Sequence, residues 1–117
     1  MEEKTKCLFC ASEHKTPQEC IEHMKQHGGF DLQQLKEQWK LDFYDTVKCI
    51  NHIRSCISRN ICPNCNTTFN TAEENLAHIE RDNHYSVRKD AAFWKNAQLL
   101  IPVIDADPLI THFVDDV

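Results

Sequence analysis

One pattern occurs twice in this chain and constrains its fold more than any other feature. A Cys-x-x-Cys pair is followed after twelve residues by a histidine, and then by a second histidine three or five residues further on. Two thiolates and two imidazoles at this spacing are the ligand set of a structural zinc site. The predicted ligands are Cys7, Cys10, His23 and His27 for one ion and Cys62, Cys65, His78 and His84 for the other. Because each set fills all four positions, both zinc ions are predicted to be structural rather than catalytic.

Helix start signals agree with both zinc patterns. Thr16 precedes Pro17, which suits the first helical position, and Glu19 completes a Thr-x-x-Glu capping box. Thr71 and Glu74 form the same box ahead of the second histidine pair. A capped helix is therefore expected to carry the histidines of each unit.

Neighbouring residues are expected to complete each small unit. Gly28 and Gly29 are expected to end the first helix. Phe69 and Leu76 are expected to supply the apolar core of the second unit. His14 lies near the first cluster as a competing ligand.

The seven cysteines are an odd number, and four of them belong to the zinc patterns. Such usage indicates metal binding in a reducing compartment rather than a disulfide framework, so the cytoplasm is predicted, with the nucleus as the alternative. Cys20, Cys49 and Cys56 are predicted to stay free and to pack as small apolar residues. A redox role for Cys49 and Cys56 is the alternative. His52 has no partner at ligand spacing and is predicted to be partly buried or on the surface.

The stretch between the clusters, residues 41–57, predicts a helix with one apolar face. Its apolar positions recur at steps of three and four and are Phe43, Val47, Ile50, Ile53 or Arg54, and Ile57. The opposite face carries Lys48, Asn51, Arg54, Ser55 and Ser58. Because an isolated helix of this length is marginal in water, we predict that it packs against both zinc units. The alternative is a linker helix between two independent units.

Two further segments flank this helix. Residues 30–41 predict a short amphipathic helix capped by Asp31, and Trp39 and Tyr44 are predicted to be core residues, with a binding patch as the alternative. The tail, residues 89–117, is apolar and acidic, and its two prolines predict an extended chain or short pieces. Its apolar content is too high for a disordered linker, so it either packs back on the fingers or docks on another protein or domain.

Composition and charge exclude several classes of function. The net charge is −5, and no stretch is a basic tract, so an anionic membrane or a nucleic acid is a poor partner. The chain has two glycines, too few for a phosphate-cradling loop, and it has no apolar run long enough for a membrane span. No nucleophile motif or carboxylate constellation is present, so no catalytic activity is expected in this chain.

The positions with which zinc-finger helices read DNA also argue against sequence-specific binding. Base contacts come from helix positions −1, 3 and 6. These positions hold Thr16, Glu19 and Glu22 in the first unit and Thr71, Glu74 and Ala77 in the second. None of them is Arg, Lys, Asn or Gln, which make bidentate contacts with bases. Residues 28–61 separate the clusters, so the fingers cannot follow a groove as closely linked fingers do.

Several stretches together resemble one known family. They are Cys7-Leu-Phe-Cys10, Gly28-Gly-Phe-Asp-Leu32, Leu41-Asp-Phe-Tyr44, Ile50-Asn-His-Ile-Arg54, and, in the tail, Phe93-Trp94, Leu99-Leu-Ile-Pro-Val103 and Asp105-Ala-Asp-Pro-Leu-Ile110. They are similar to the N-terminal zinc-finger module of the type-three, ribosomal-protein-directed protein arginine methyltransferases and of related multi-finger proteins. The resemblance implies a substrate-recruiting module that binds a basic small-subunit ribosomal protein of the S2 type. It also implies that the tail corresponds to a linker to a methyltransferase domain absent from this chain.

The predicted fold is a small, zinc-stabilised α+β structure that is mainly helical, with two ββα-like CCHH units, a helical connector and an extended C-terminal tail. The expected segments are 1–30 for the first finger, 31–60 for the connector, 61–88 for the second finger and 89–117 for the tail. The predicted function is protein recognition for an arginine methyltransferase. The alternative is an RNA- or DNA-binding finger protein that acts in ribosome biogenesis or transcription.

Overall fold

A computed structural model of the chain describes residues 4–10, 12–87, 92–104 and 107–112. The elements are the strands β1 (Thr5–Lys6) and β2 (Glu13–His14), the helices α1 (Pro17–Met24), α2 (Leu32–Gln38), α3 (Phe43–Ser58) and α4 (Ala72–Asp82), two 3-10 turns (Ala92–Lys95 and Ala97–Leu100) and the short helix α5 (Pro108–Thr111). The predicted fold class, a mainly helical α+β structure with two zinc-finger units, is confirmed.

The first unit is a hairpin followed by a capped helix. β1 and β2 pair antiparallel, with Thr5 opposite His14 and Lys6 opposite Glu13. The Thr16 hydroxyl accepts the Glu19 N–H at 3.1 Å, which confirms the predicted cap of α1.

The second unit repeats this plan with a smaller hairpin. A single antiparallel bridge joins Ile61 to Thr68, and Thr71 caps α4 by accepting the Glu74 N–H at 3.1 Å. The core of α4 differs from the prediction, because Asn75 and Ile79 are the buried positions. Leu76 is only half-buried, since the Asn75 amide takes the inward position and donates to the Ile61 carbonyl at 3.1 Å. A hydrogen bond to the hairpin thus replaces the expected apolar contact.

α3 lies at the centre of the molecule. Its residues Val47, Ile50 and Ile53 join one hydrophobic cluster with Phe9 of the first unit and Leu109 of α5. Burial of this face confirms that the helix packs against its neighbours rather than spanning solvent. The radius of gyration, 13.3 Å, agrees with the ~13 Å expected for one compact chain of this length.

The face of α3 opposite its apolar positions is covered by the tail at its central residues. Asn51 and Arg54 are buried, because the tail returns to this face and satisfies their polar atoms. Asn51 donates to the Leu99 carbonyl at 2.7 Å and accepts the Val103 N–H at 3.3 Å. Arg54 forms a buried ion pair with Asp107. This face is therefore a polar seam between helix and tail.

The tail resolves into short pieces and is not extended throughout. Its two 3-10 turns pack on α3, and Lys48 donates to the Trp94 carbonyl at 2.8 Å. Pro108 occupies the first turn of α5, where the missing N–H costs nothing. Of the two predicted alternatives, the described tail residues show packing back onto the same chain.

The two zinc units touch directly through Tyr85. Its ring centroid lies 5.2 Å from that of Phe9 and 5.0 Å from that of His27, and both of these residues belong to the first unit. Gly28, at φ +61°, approaches so closely that a Cβ there would lie 2.0 Å from Asn83 Oδ1. Only glycine fits this position, and the alternative of two independent units is wrong.

The two aromatic residues assigned to the core differ in their environment. Trp39 is half-buried and packs edge-to-face on Trp94 of the tail, with the two ring centroids 6.0 Å apart. Tyr44 is 56 % exposed, so its assignment to the core is wrong. Its ring contacts Phe43 at the start of α3 but projects toward solvent.

Candidate metal centres

The first candidate centre lies between the β1–β2 turn and the end of α1. Cys7 and Cys10 come from the turn, and His23 lies in the last turn of α1. His27 follows in a turn after α1 has ended at Met24, so the helix carries only the first histidine of the predicted pair. Cys10 Sγ lies 3.3 Å from His23 Nε2, which lies 3.2 Å from His27 Nε2. The four ligand atoms all lie within 4.8 Å of one another.

The second candidate centre gathers the other four predicted residues. Cys65 Sγ lies 3.3 Å from His78 Nε2, and Cys62 Sγ lies 3.5 Å from His84 Nδ1. Its four ligand atoms also lie within 4.8 Å of one another. His84 follows Asn83, whose left-handed φ of 54° ends α4, so His84 presents Nδ1 from outside the helix. The longer spacing between the histidines is thus explained by a turn after the helix.

Both quartets fit a tetrahedral zinc ion. Zinc bonds of ~2.0–2.3 Å to nitrogen and sulphur place neighbouring ligand atoms roughly 3.3–3.8 Å apart at tetrahedral angles. The closest ligand pairs, at 3.2–3.5 Å, agree with this requirement. With two sulphur and two nitrogen ligands at each centre, no position remains for a reacting water, so the two ions are structural.

Burial and backbone hydrogen bonds act in opposite directions on the first cysteine of the first centre. Burial raises the pKa of the Cys7 thiol to about 11, while N–H groups of Phe9 and Cys10 lower it. The Phe9 N–H lies 3.4 Å from Cys7 Sγ. Zinc binding must displace this thiol proton, and the same N–H groups then stabilise the thiolate.

A hydroxyl next to each centre was missed in the sequence reasoning. Ser12 Oγ lies 3.0 Å from Cys10 Sγ, and Thr67 Oγ1 lies 3.1 Å from Cys65 Sγ. Both hydroxyl residues come two positions after the second cysteine of their pair. This repeated spacing is the sequence pattern that indicates a hydroxyl beside each thiolate. Each hydroxyl can donate to the thiolate and reduce its charge.

Ser12 also explains where His14 lies. Its hydroxyl is 3.1 Å from His14 Nε2 and 3.1 Å from His23 Nε2. The His14 ring centroid also lies 4.5 Å from that of His23. His14 therefore contacts the first centre through Ser12 and through the His23 ring, and it stands outside the ligand quartet.

A carboxylate orients one ligand of the second centre. Asp82 Oδ2 lies 3.1 Å from His78 Nδ1, and Arg81 pairs with the same carboxylate at 3.1 Å. A carboxylate on the far nitrogen fixes the tautomer of a zinc-binding imidazole and raises its basicity.

The remaining cysteines lie outside both quartets. Cys20, Cys49 and Cys56 are buried and free. Burial raises the pKa of Cys20 and Cys49 to about 12 and that of Cys56 to about 11. Thiols of this kind are poor nucleophiles at neutral pH, which supports packing over redox chemistry. Cys56 Sγ packs 3.7 Å from Nε2 of the half-buried His52.

The outer faces of the finger helices are acidic or used by the fold. The hydroxyls of Thr16 and Thr71 are occupied as helix caps. Glu19 is exposed, and exposed Glu22 accepts a hydrogen bond from Lys25 at 3.1 Å. These positions therefore present carboxylates where a DNA-reading finger presents hydrogen-bond donors to guanine.

Comparison with known proteins agrees with the two centres. The C2H2 type zinc-finger family matches residues 5–105 in two copies. Zinc finger protein 277 of Mus musculus is 30 % identical over 109 residues, which cover 93 % of this chain and 19 % of that protein. The probable protein arginine N-methyltransferase 3 of Arabidopsis thaliana is 34 % identical over 111 residues, covering 94 % of this chain and 16 % of that protein.

A fission-yeast protein extends the comparison. The ribosomal protein arginine N-methyltransferase rmt3 of Schizosaccharomyces pombe is 32 % identical over 81 residues, covering 69 % of this chain and 13 % of that protein. The chain spans 19 % and 24 % of the mouse and human zinc finger protein 277 sequences. No solved structure matches it. Among the helices that the structure describes, none has the length and apolarity to cross a membrane.

Proposed function

This chain belongs to the C2H2-type zinc-finger family, and from that premise we propose that it is a protein-recognition module. In this proposal it recruits a basic small-subunit ribosomal protein of the S2 type as the substrate of a protein arginine methyltransferase. Its two zinc ions hold the recognition surface in shape and take no part in the transfer reaction.

The acidic outer faces of the finger helices carry the proposal. Positions that read bases in DNA-binding fingers hold the exposed carboxylates of Glu19 and Glu22 in α1 and of Glu74 in α4. A phosphate backbone is repelled by such a face, whereas a lysine- and arginine-rich protein is attracted to it. The net charge of −5 acts in the same direction over a longer range.

Direct contact between the fingers supports protein binding as well. Tyr85 packs on His27, and Gly28 lies against Asn83, so the two helices are held in one fixed arrangement. DNA-reading fingers follow the groove one after another at three base pairs per finger. Fingers locked against each other are better suited to a folded or peptide partner.

The names of two relatives support the proposed class of partner. One is named a ribosomal protein arginine N-methyltransferase, and another a probable protein arginine N-methyltransferase. The transfer reaction itself belongs, in this proposal, to a domain outside these 117 residues. Ribosomal proteins are made in the cytoplasm, and this is where the module is proposed to act.

Binding measurements with the zinc-loaded protein test the proposal. The S2-type ribosomal protein, duplex DNA and ribosomal RNA are titrated separately at two salt concentrations, with an unrelated basic protein as the control. We expect the ribosomal protein to bind more tightly than the control, with an association rate that salt reduces. Duplex DNA should bind no tighter than ~10⁻⁴ M at physiological salt.

Two outcomes would contradict the recruiting role. Equal binding of the ribosomal protein and the unrelated basic protein would show charge attraction without recognition. Tight RNA binding that falls steeply with salt, without a protein partner, would favour the nucleic-acid alternative.

A further inference from the structure

Exposed apolar side chains concentrate in one region of the described chain. Its exposed large hydrophobic residues are Tyr44 at 56 %, Leu100 at 39 %, Ile101 at 69 % and Val103 at 45 %. Three of the four come from one stretch of the tail, and Pro102 within it is exposed as well. We call this surface, Tyr44 with residues 100–103, the tail face.

A cavity opens in the tail face. It measures about 160 Å³ and is lined by apolar side chains, namely Phe43, Tyr44, Val47, Leu100, Pro102 and Ile110. One water molecule needs only ~10–15 Å³ of such space, so the cavity can admit a whole apolar side chain. A second depression, of about 520 Å³, shares Pro102 and runs along Ile101 and Val103, and Arg59 also lines it.

Hydrogen bonds hold the tail face in place. Asn51 of α3 binds the Leu99 carbonyl at 2.7 Å and the Val103 N–H at 3.3 Å, on either side of the exposed residues. The exposed side chains are therefore presented by a chain that is fixed at both ends. Preorganised surfaces of this kind lose less entropy when a partner binds.

Two carboxylates adjoin cavity-lining residues in sequence at the start of α3. Asp42 and Asp45 flank the cavity residues Phe43 and Tyr44. Asp42 accepts the Asp45 N–H as the helix cap, and within the described part of the chain neither carboxylate has a lysine or arginine partner. A partner that buries an apolar side chain in this cavity gains further from a nearby cationic one.

We propose that the tail face is the docking surface for the basic protein partner, which inserts an apolar side chain into the cavity and pairs a neighbouring lysine or arginine with Asp42 or Asp45. This inference rests on the proposed function, because a basic protein is the partner that both features fit. A second copy of this chain would place its own carboxylates against Asp42 and Asp45, and RNA would place phosphates against them. In both cases like charges would repel each other. Both are therefore disfavoured as occupants.

Two substitutions test the surface without touching the core. Tyr44→Asp and Ile101→Asp change exposed side chains, so the amide spectrum should keep its dispersion. Gln34→Asp on the exposed side of α2 adds the same charge outside both the tail face and the finger helices, and it serves as the matched control. We expect the two tail-face variants to weaken binding of the S2-type ribosomal protein at least tenfold, and the control less than twofold.

A second probe makes the test independent of that one protein. A synthetic peptide with one phenylalanine between two lysine triplets is titrated into ¹⁵N-labelled full chain. We expect shifts at residues 42–47 and 100–103, which Asp42→Asn with Asp45→Asn should reduce at low salt.

The outcomes separate the surface from the function. If the ribosomal protein binds wild type and both tail-face variants equally, the surface is wrong and the recruiting role stands. If the ribosomal protein does not bind the wild-type chain, the recruiting role fails. The peptide titration then tests the tail face alone, and the absence of chemical-shift changes would overturn the proposed docking surface. Dimerisation that Ile101→Asp abolishes, or RNA binding that it weakens, would assign the face to those occupants and overturn the proposal.

Discussion

Removing the buried carboxylate of Asp107 should destabilise the protein more than any surface change. Its side chain is fully buried, and it binds Arg54 through both oxygens, at 2.5 Å to Nε and 3.2 Å to Nη2. Arg54 Nη2 also donates to the Lys6 carbonyl at 2.9 Å, so the guanidinium joins β1, α3 and the tail. Without its partner, the Arg54 charge would remain buried and uncompensated.

The magnitude follows from two separate losses. Breaking a buried ion pair by removing one partner costs ~3–5 kcal/mol. Asp107 Oδ1 also accepts the Leu109 N–H at 3.0 Å and caps α5, and losing a cap costs about 1 kcal/mol. We therefore expect Asp107→Ala to lower the free energy of unfolding by roughly 4–6 kcal/mol, much of the 5–15 kcal/mol typical of a small domain.

Chemical unfolding at a fixed excess of zinc measures this loss. Trp39 and Trp94 pack at 6.0 Å across the junction between α2 and the tail, so their fluorescence reports tail detachment. The double variant Arg54→Met with Asp107→Leu removes both charges and should regain most of the stability, because neither charge then stays buried alone. Asp107→Asn is the conservative control, since it keeps an acceptor for the Leu109 N–H.

Two results would refute the reasoning. A loss below about 1 kcal/mol for Asp107→Ala would mean that water reaches Arg54 in the folded state. A double variant as unstable as Asp107→Ala would show that the two side chains are not energetically coupled.

Three further predictions concern the metal centres and the core. Elemental analysis should find two zinc ions per chain, and serine at Cys20, Cys49 and Cys56 should leave that number unchanged; a lower number would reassign a ligand. Val47→Asp places a charge in the central cluster and should cost several kcal/mol, with loss of dispersed amide signals from both fingers; wild-type signals from either finger would contradict the packing. Tyr85→Ala removes the ring that packs on His27 and should weaken zinc binding at the first centre several-fold, measured by competition with a chromogenic chelator, while two ions still bind at saturation; an unchanged affinity would show that the centres are independent.

The metal centres could be predicted from sequence because their signals are local. Cysteine and histidine spacing depends on one turn and one helix, and Thr16 and Thr71 mark where the helices begin. Each quartet is therefore encoded within a short stretch of chain.

The surroundings of α3 could not be predicted in this way. Periodicity identified Val47 and Ile50 as inward residues, but it placed Asn51 on the opposite face and did not show that Asn51 is buried beneath the tail. That burial depends on a hydrogen bond to the carbonyl of Leu99, which lies far along the chain. No local sequence pattern indicates a partner at that separation. The same applies to Tyr85, whose position follows from the way the second finger folds against the first.

The return of the tail to α3 makes the second finger a closed loop. The chain leaves α3 after Ser58, forms the second metal centre, and is tied back to the same helix where Lys48 binds the Trp94 carbonyl. Chain entropy for closing a loop grows only slowly with its length, by about 0.6 kcal/mol for each doubling. A longer loop should therefore cost little in closure entropy, while the first finger, α3 and the tail keep their mutual contacts. Natural variation in length is expected within this loop, outside the metal centre, rather than between the first finger and α3.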